Sequence, residues 1–173
     1  MERLLRVVDP RPDQEFLEIG AGSGALTLPL AARARRVTDM HVMLQAEVAA
    51  RIAAAPGGKD YGILSVLYAL FADVDLALRF RPGAFAPPPR VSSALLRVRF
   101  LDHPRAEIPD LRSFERLVQT AFARRRRTLE NNLQDSYANL KEHLRLVHIE
   151  GSRRAETLSV VEFARLARAL AKA

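Results

Sequence analysis

The sequence contains no cysteine, which excludes disulfide scaffolds, cysteine nucleophiles and thiolate metal sites together. Its four histidines, His41, His103, His143 and His148, include no pair at metal-ligand spacing with a carboxylate, so none is read as a ligand and no metal is expected. No apolar run approaches ~18 residues, so nothing is expected to span a membrane. The opening stretch, Met1-Glu2-Arg3-Leu4-Leu5-Arg6-Val7-Val8, is too short and too charged for a secretory signal. No internal repeat stands out. These absences lead to the expectation of a chain working in a reducing cytoplasm or an equivalent compartment.

What remains is an ordinary globular composition, 49% hydrophobic and 27% charged over 173 residues. That length suits one domain with a core, or one with a small appendage. The balance of 27 Lys and Arg against 20 Asp and Glu leaves +7, with a sequence pI near 10.7. Such an excess favours a polyanionic partner, nucleic acid above all.

The chain is organised around Phe16-Leu17-Glu18-Ile19-Gly20-Ala21-Gly22-Ser23-Gly24-Ala25-Leu26-Thr27. It reads as a strand over 14–19, a glycine-rich turn, and a helix over 25–36. Glycine lets backbone approach a ligand without a Cβ in the way. The helix N-terminus offers free N–H groups to whatever sits above the turn. Open α/β sheets build cofactor sites in this way, although such turns also close joints that bind nothing.

A second strand then starts at Arg36-Val37-Thr38, and in such a unit it should end in an acidic residue for a ribose. Instead Asp39-Met40-His41-Val42-Met43-Leu44-Gln45 reads as another strand with its own entrance. Asp39 would stand at its start, the wrong end for that contact. A helix over 47–55 follows, with Glu47 and Arg51 as an i, i+4 pair. Residues 61–71 form an apolar run that periodicity leaves open between strand and helix. Strands are expected over 73–80 and 93–100, joined by a stiff connection through Pro87, Pro88 and Pro89. Beyond Asp102 only helices are expected, over 111–127, 129–133, 139–146 and 159–171. Ser159 and Glu162 have capping-box spacing at the start of the last.

Three separated blocks together resemble one family, the ribosomal RNA adenine dimethyltransferases. Glu18 to Thr27 is similar to that family's S-adenosylmethionine turn. The stretch from Asp39 to Arg51, followed by Tyr61-Gly62-Ile63-Leu64-Ser65-Val66, resembles its later core. Phe85-Ala86-Pro87-Pro88-Pro89-Arg90-Val91-Ser92-Ser93-Ala94 resembles its F-x-P-P-P-[KR]-V-x-S-A signature, the most specific of the three. The stretches 121–133 and 154–159 are similar to its small helical domain. The resemblance implies a Rossmann-like α/β methyltransferase core over 1–101 and an all-helical RNA-contacting domain over 102–173.

The resemblance also shows what is missing. The family's Gln-Asn-Phe-Leu segment before the first helix is absent. So are the acidic residue ending strand two, the Asp that meets the cofactor's adenine, and the Asn-Leu-Pro-Tyr motif ending strand four. The last three would fall between Thr38 and Asp39. At ~30 residues per strand–helix unit, roughly 60–80 residues are missing there. Either the deletion is internal to the protein or residues were closed up by the numbering.

By resemblance, then, the chain is an S-adenosylmethionine-dependent enzyme dimethylating adenine N6 in small-subunit ribosomal RNA. The alternative is a catalytically inactive, truncated RNA-binding relative; a DNA-binding module fits only the basic C-terminal part. Glu18, Gly20 and Gly22 would face the cofactor, and Phe85, held by the prolines, would stack on the target base rather than merely fill core. Arg124, Arg125, Arg126 and Arg127, with Arg90, would grip RNA phosphates, with Arg153 and Arg154 as weaker candidates. Four consecutive arginines cannot share one helix face, so at least one or two point elsewhere. No catalytic residue is present, because the Asn-Leu-Pro-Tyr motif is missing. The expected partner is the small ribosomal subunit or its RNA, with no membrane, and the chain is expected to be monomeric.

Overall fold

The computed structural model describes residues 15–16 and 37–171. They divide into two compact units. One comprises residues 15–16, 37–53 and Ala72–Asp102, the other Ala54–Phe71 and residues 103–171.

The first is an α/β unit. Strands β1 (Glu15–Phe16), β2 (Val37–Gln45), β3 (Ala72–Phe80) and β4 (Ser93–Phe100) form one sheet in the order β1-β2-β4-β3. β1 lies parallel to β2, whereas β4 runs antiparallel to both β2 and β3. Period-two alternation sets the register, with Met40 opposite Val98, Val42 opposite Leu96 and Leu44 opposite Ala94. Shared faces of this kind bury Met40, Val42, Ala94, Leu96 and Val98. A register shift between Leu76 and Leu78 marks a bulge in β3. Helix α1 (Ala46–Ile52) packs against the sheet through Ala49 and Ile52, and the Ala46 N–H donates to Ser92 O at 2.9 Å.

Two expectations change here. From Val37 on, the expected strand start and the strand-like run at 39–45 are one strand, β2, since Asp39 pairs in register with Arg99 and the ladder continues unbroken to Gln45 opposite Ser93. Asp39 therefore sits inside a strand, not at its entrance. The 173-residue sequence runs through Thr38 and Asp39 without interruption, so the missing units are absent from the chain itself. A parallel pair needs a crossover of a dozen or more residues. The twenty residues 17–36 between β1 and β2 permit one crossover and leave no length for two further strand–helix units.

The second unit is helical: α2 (Ile63–Phe71), α3 (Leu111–Ala121), α4 (Leu129–Leu133), α5 (Leu140–Leu146) and α6 (Val160–Leu170). The apolar run left open by periodicity is thus helix α2. It packs with the C-terminal helices, so the division at 101 and 102 differs from the packing, which assigns 54–71 to the helical unit. Tyr61 shows why. Its hydroxyl donates to Leu158 O at 2.9 Å, and its ring meets Phe122 edge-on at 6.2 Å. Burial, then the nearby Glu162 carboxylate, push the phenol up to about 12.

Helices α3, α4 and α6 begin where side chains cap them. Asp110 accepts from Ser113 N at 2.9 Å, and that backbone donor holds its carboxyl below the usual range. Thr128 accepts from Asn131 N. Ser159 and Glu162 complete the expected capping box of α6. Phe114, Leu117, Val118, Phe163 and Leu166 form the fully buried centre. Among the described residues no helix is long and apolar enough to cross a membrane.

Candidate functional site

Glu18, Gly20 and Gly22 lie outside the described residues. Of the other candidates, Phe85 and Arg90 belong to the α/β unit and the arginine run to the helical unit.

Phe85 follows a single 3-10 turn, Pro82–Ala84, whose Pro82 O accepts the Phe85 N–H at 3.2 Å. The half-buried ring meets Phe80 of β3 edge-on, centroids 6.0 Å apart. The ring is thus braced by Phe80, and the residue keeps part of its surface exposed. The Ala86–Pro87 peptide is cis. Pro87 and Pro88 are exposed, and Arg90 is an exposed cation on the same connection.

The arginine run is not helical. α3 stops at Ala121 rather than continuing to Arg127, because its last carbonyls find a side-chain donor. Asn132 Nδ2 donates to Ala121 O at 2.7 Å and to Arg124 O at 3.2 Å. Arg127 N closes a turn on Arg124 O at 3.0 Å. The four arginines therefore project from a turn anchored between α3 and α4, all of them exposed.

They are not equivalent. Arg125 Nη2 donates to Lys59 O, and its Nε reaches Glu156 Oε2 at 3.2 Å. The Gly57 N–H in turn donates to Glu156 O at 2.8 Å. Arg125 is thus the member of the run that points elsewhere, clamping the 57–59 loop to the Ala155–Thr157 turn. Arg124, Arg126 and Arg127 have no ion-pair partner among the described residues, which leaves three cations on one turn facing solvent.

Arg153 is likewise committed. It reaches Glu162 Oε1 at 2.5 Å and Thr157 O at 2.7 Å. Burial alone would raise the Glu162 carboxyl, but Arg153 and the Ser159 backbone and hydroxyl donors hold it at about 2. Arg154 is an exposed cation 3.9 Å from Glu156. The clamp was invisible in the sequence, because Arg125, Lys59 and Glu156 are far apart along the chain and no local spacing links them. Among the described residues no three His, Asp or Glu side chains gather as a metal ion would require.

Residues 36–172 match the family model described as ribosomal RNA adenine dimethylase. The chain is 34% identical to ribosomal RNA small subunit methyltransferase A of Geobacter metallireducens over 247 positions, covering 98% of this chain and 90% of that protein. It is 46% identical to the protein of the same name from Syntrophotalea carbinolica, over 73% of this chain and 49% of the relative. For the Magnetococcus marinus protein the figures are 43%, 74% and 46%. The chain thus spans about half the length of these last two relatives.

The Geobacter comparison also measures the deletion. Since 98% of 173 residues is about 170, about 77 of the 247 aligned positions face a gap in this chain. Two solved structures share the fold. A dimethyladenosine transferase from Plasmodium falciparum has a TM-score of 0.65 at 19% identity, over 94% of this chain and 68% of that one. The 23S rRNA methyltransferase ErmE has a TM-score of 0.64 at 18% identity, over 98% and 97%.

Proposed function

The chain belongs to the ribosomal RNA adenine dimethylase family, and on that premise we propose that it binds small-subunit ribosomal RNA through the arginine turn of its helical unit. The family's reaction is S-adenosylmethionine-dependent dimethylation of adenine N6. Its fold here is the α/β methyltransferase type with a helical second unit. The observation that carries the RNA reading is the division of labour in the turn. Arg125 is spent on holding the loop, while Arg124, Arg126 and Arg127 stand unpaired among the described residues. Three cations on a braced turn suit consecutive phosphates, and the net charge of +7 favours their approach. Arg90 and the braced Phe85 supply a phosphate contact and a stacking face for an exposed adenine.

The residues present do not complete a cofactor site. S-adenosylmethionine would need the ribose carboxylate, the adenine-binding Asp and Asn-Leu-Pro-Tyr, and the twenty residues between β1 and β2 leave no length for them. On this reading the chain is the catalytically inactive, RNA-binding alternative, while methylation is what membership of the family supports. The rival reading, methylation by the chain itself, draws on the retained turn from Glu18 to Gly24. A monomer working where ribosomes are assembled, in the cytoplasm, fits either.

Two measurements test this. Isothermal calorimetry with S-adenosylmethionine is expected to show no binding, and tight stoichiometric binding would return the rival. Fluorescence anisotropy with a small-subunit ribosomal RNA hairpin is expected to show salt-dependent binding. Replacing Arg124, Arg126 and Arg127 by alanine should flatten the log–log salt slope by ~0.9 for each phosphate no longer neutralised. An unchanged slope would remove these arginines from the RNA surface.

A further inference from the structure

The helical unit holds a cleft that the arginine turn does not use. Arg116, Leu117 and Thr120 of α3 line one side, at spacings that share a helix face. Ser136 and Tyr137, between α4 and α5, line another, and Ala167 of α6 lies at its base. Its volume is about 180 Å³, below the ~300–1,000 Å³ that drug-sized ligands fill. One flat group fits such a space.

Its chemistry is specific. Leu117 and Ala167 are buried and make an apolar floor. Tyr137 adds a half-buried aromatic wall packed against the core. The Arg116 guanidinium has no ion-pair partner among the described residues, and the hydroxyls of Tyr137 and Ser136 have no hydrogen-bond partner among them. The Thr120 hydroxyl donates to Arg116 O at 2.8 Å, which leaves its oxygen able to accept. Burial raises the Tyr137 phenol while Arg116 pulls the other way, so the hydroxyl stays protonated and able to donate at neutral pH.

We propose that this cleft takes one unstacked base of a single-stranded RNA segment, with Tyr137 as the stacking face and Arg116 and the hydroxyls engaging the base edge and its phosphate. Single-stranded RNA is recognised by such pairings of an aromatic ring, a guanidinium and edge-reading hydroxyls. A bare phosphate would have no use for the apolar floor and the ring. The charge of the unit agrees, with fourteen Lys and Arg against ten Asp and Glu over residues 54–71 and 103–171. The proposal rests on the RNA reading above and adds to it a preference for unpaired nucleotides.

The test compares two fluorescein-labelled RNAs with the same stem, one blunt and one with a short single-stranded tail, on the full chain. The wild type should bind the tailed RNA more tightly. Tyr137→Leu and the exposed Arg116→Gln should each weaken tailed binding about tenfold and leave blunt binding and its salt slope unchanged. Tyr137→Phe should retain most of the preference, because the ring remains. A photo-reactive thiouridine in the tail should crosslink to the peptide carrying Tyr137. Equal affinity of the wild type for both RNAs, or variants that weaken both alike, would overturn the cleft while sparing the arginine turn. If neither RNA binds the wild type, the RNA reading falls and this proposal with it.

Discussion

Glu162→Gln isolates the charge network at the start of α6. In the wild type the carboxylate accepts from Ser159 N at 2.8 Å and Ser159 Oγ at 2.9 Å, and it pairs with Arg153 at 2.5 Å. A carboxyl held at about 2 instead of its ordinary 4.5 corresponds to at most about 3 kcal/mol at neutral pH, at ~1.36 kcal/mol per pH unit. The side chains of Arg153 and Glu162 remain 30% and 19% exposed, so water screens the pair and about 1–2 kcal/mol is the working figure. The folded-state value is depressed, so the contribution is whole above about pH 4.5 and is lost as pH falls through about 2. About three-quarters should survive at pH 4 and about two-fifths at pH 3. Urea unfolding of both proteins, followed by helical circular dichroism at pH 7, 4 and 3, measures the difference directly. At pH 7 the variant should also melt about 2–8 °C lower. A difference that stays constant between pH 7 and pH 3 would refute the reasoning, since it would make Glu162 a packing residue.

Gly151→Ala should cost about 1 kcal/mol, because the added Cβ would lie 2.6 Å from Glu130 Oε2 and 3.1 Å from Glu130 Cβ. Adding Glu130→Ala should recover part of that loss in a double-mutant cycle, and strict additivity would refute the clash. Tyr61→Phe should lose about 1 kcal/mol by leaving the buried Leu158 carbonyl without its donor, measured by urea unfolding. Arg125→Ala should lower the melting temperature while changing the RNA salt slope less than Arg126→Ala does. The reverse order would show that Arg125, not its neighbours, meets phosphate.

Much of this molecule was legible along the chain, because the signals were local. Strand 93–100, helix 129–133 and the capping box at Ser159 rest on alternation, apolar spacing and a three-residue separation, all of which neighbouring residues fix. The break in the family pattern was visible too, since an expected motif was absent from a known order. Its nature was not. Whether Val37 to Gln45 formed two strands or one depended on β4 supplying a continuous partner.

The identity of the 61–71 run depended on Tyr61 meeting Leu158, 97 positions away. Asn132 ended α3 six residues early by capturing carbonyls that an isolated helix would have left to water or to the next turn. The arginine run shows the same division. The sequence by itself determined that four cations stand together, although the helix on which they were expected to diverge is a turn instead. Only the tertiary structure decided that Arg125 is the one committed to protein partners, because Lys59 and Glu156 reach it from distant parts of the chain. Composition and spacing act between neighbours, whereas a clamp of this kind exists only after the chain has brought remote residues into hydrogen-bonding range.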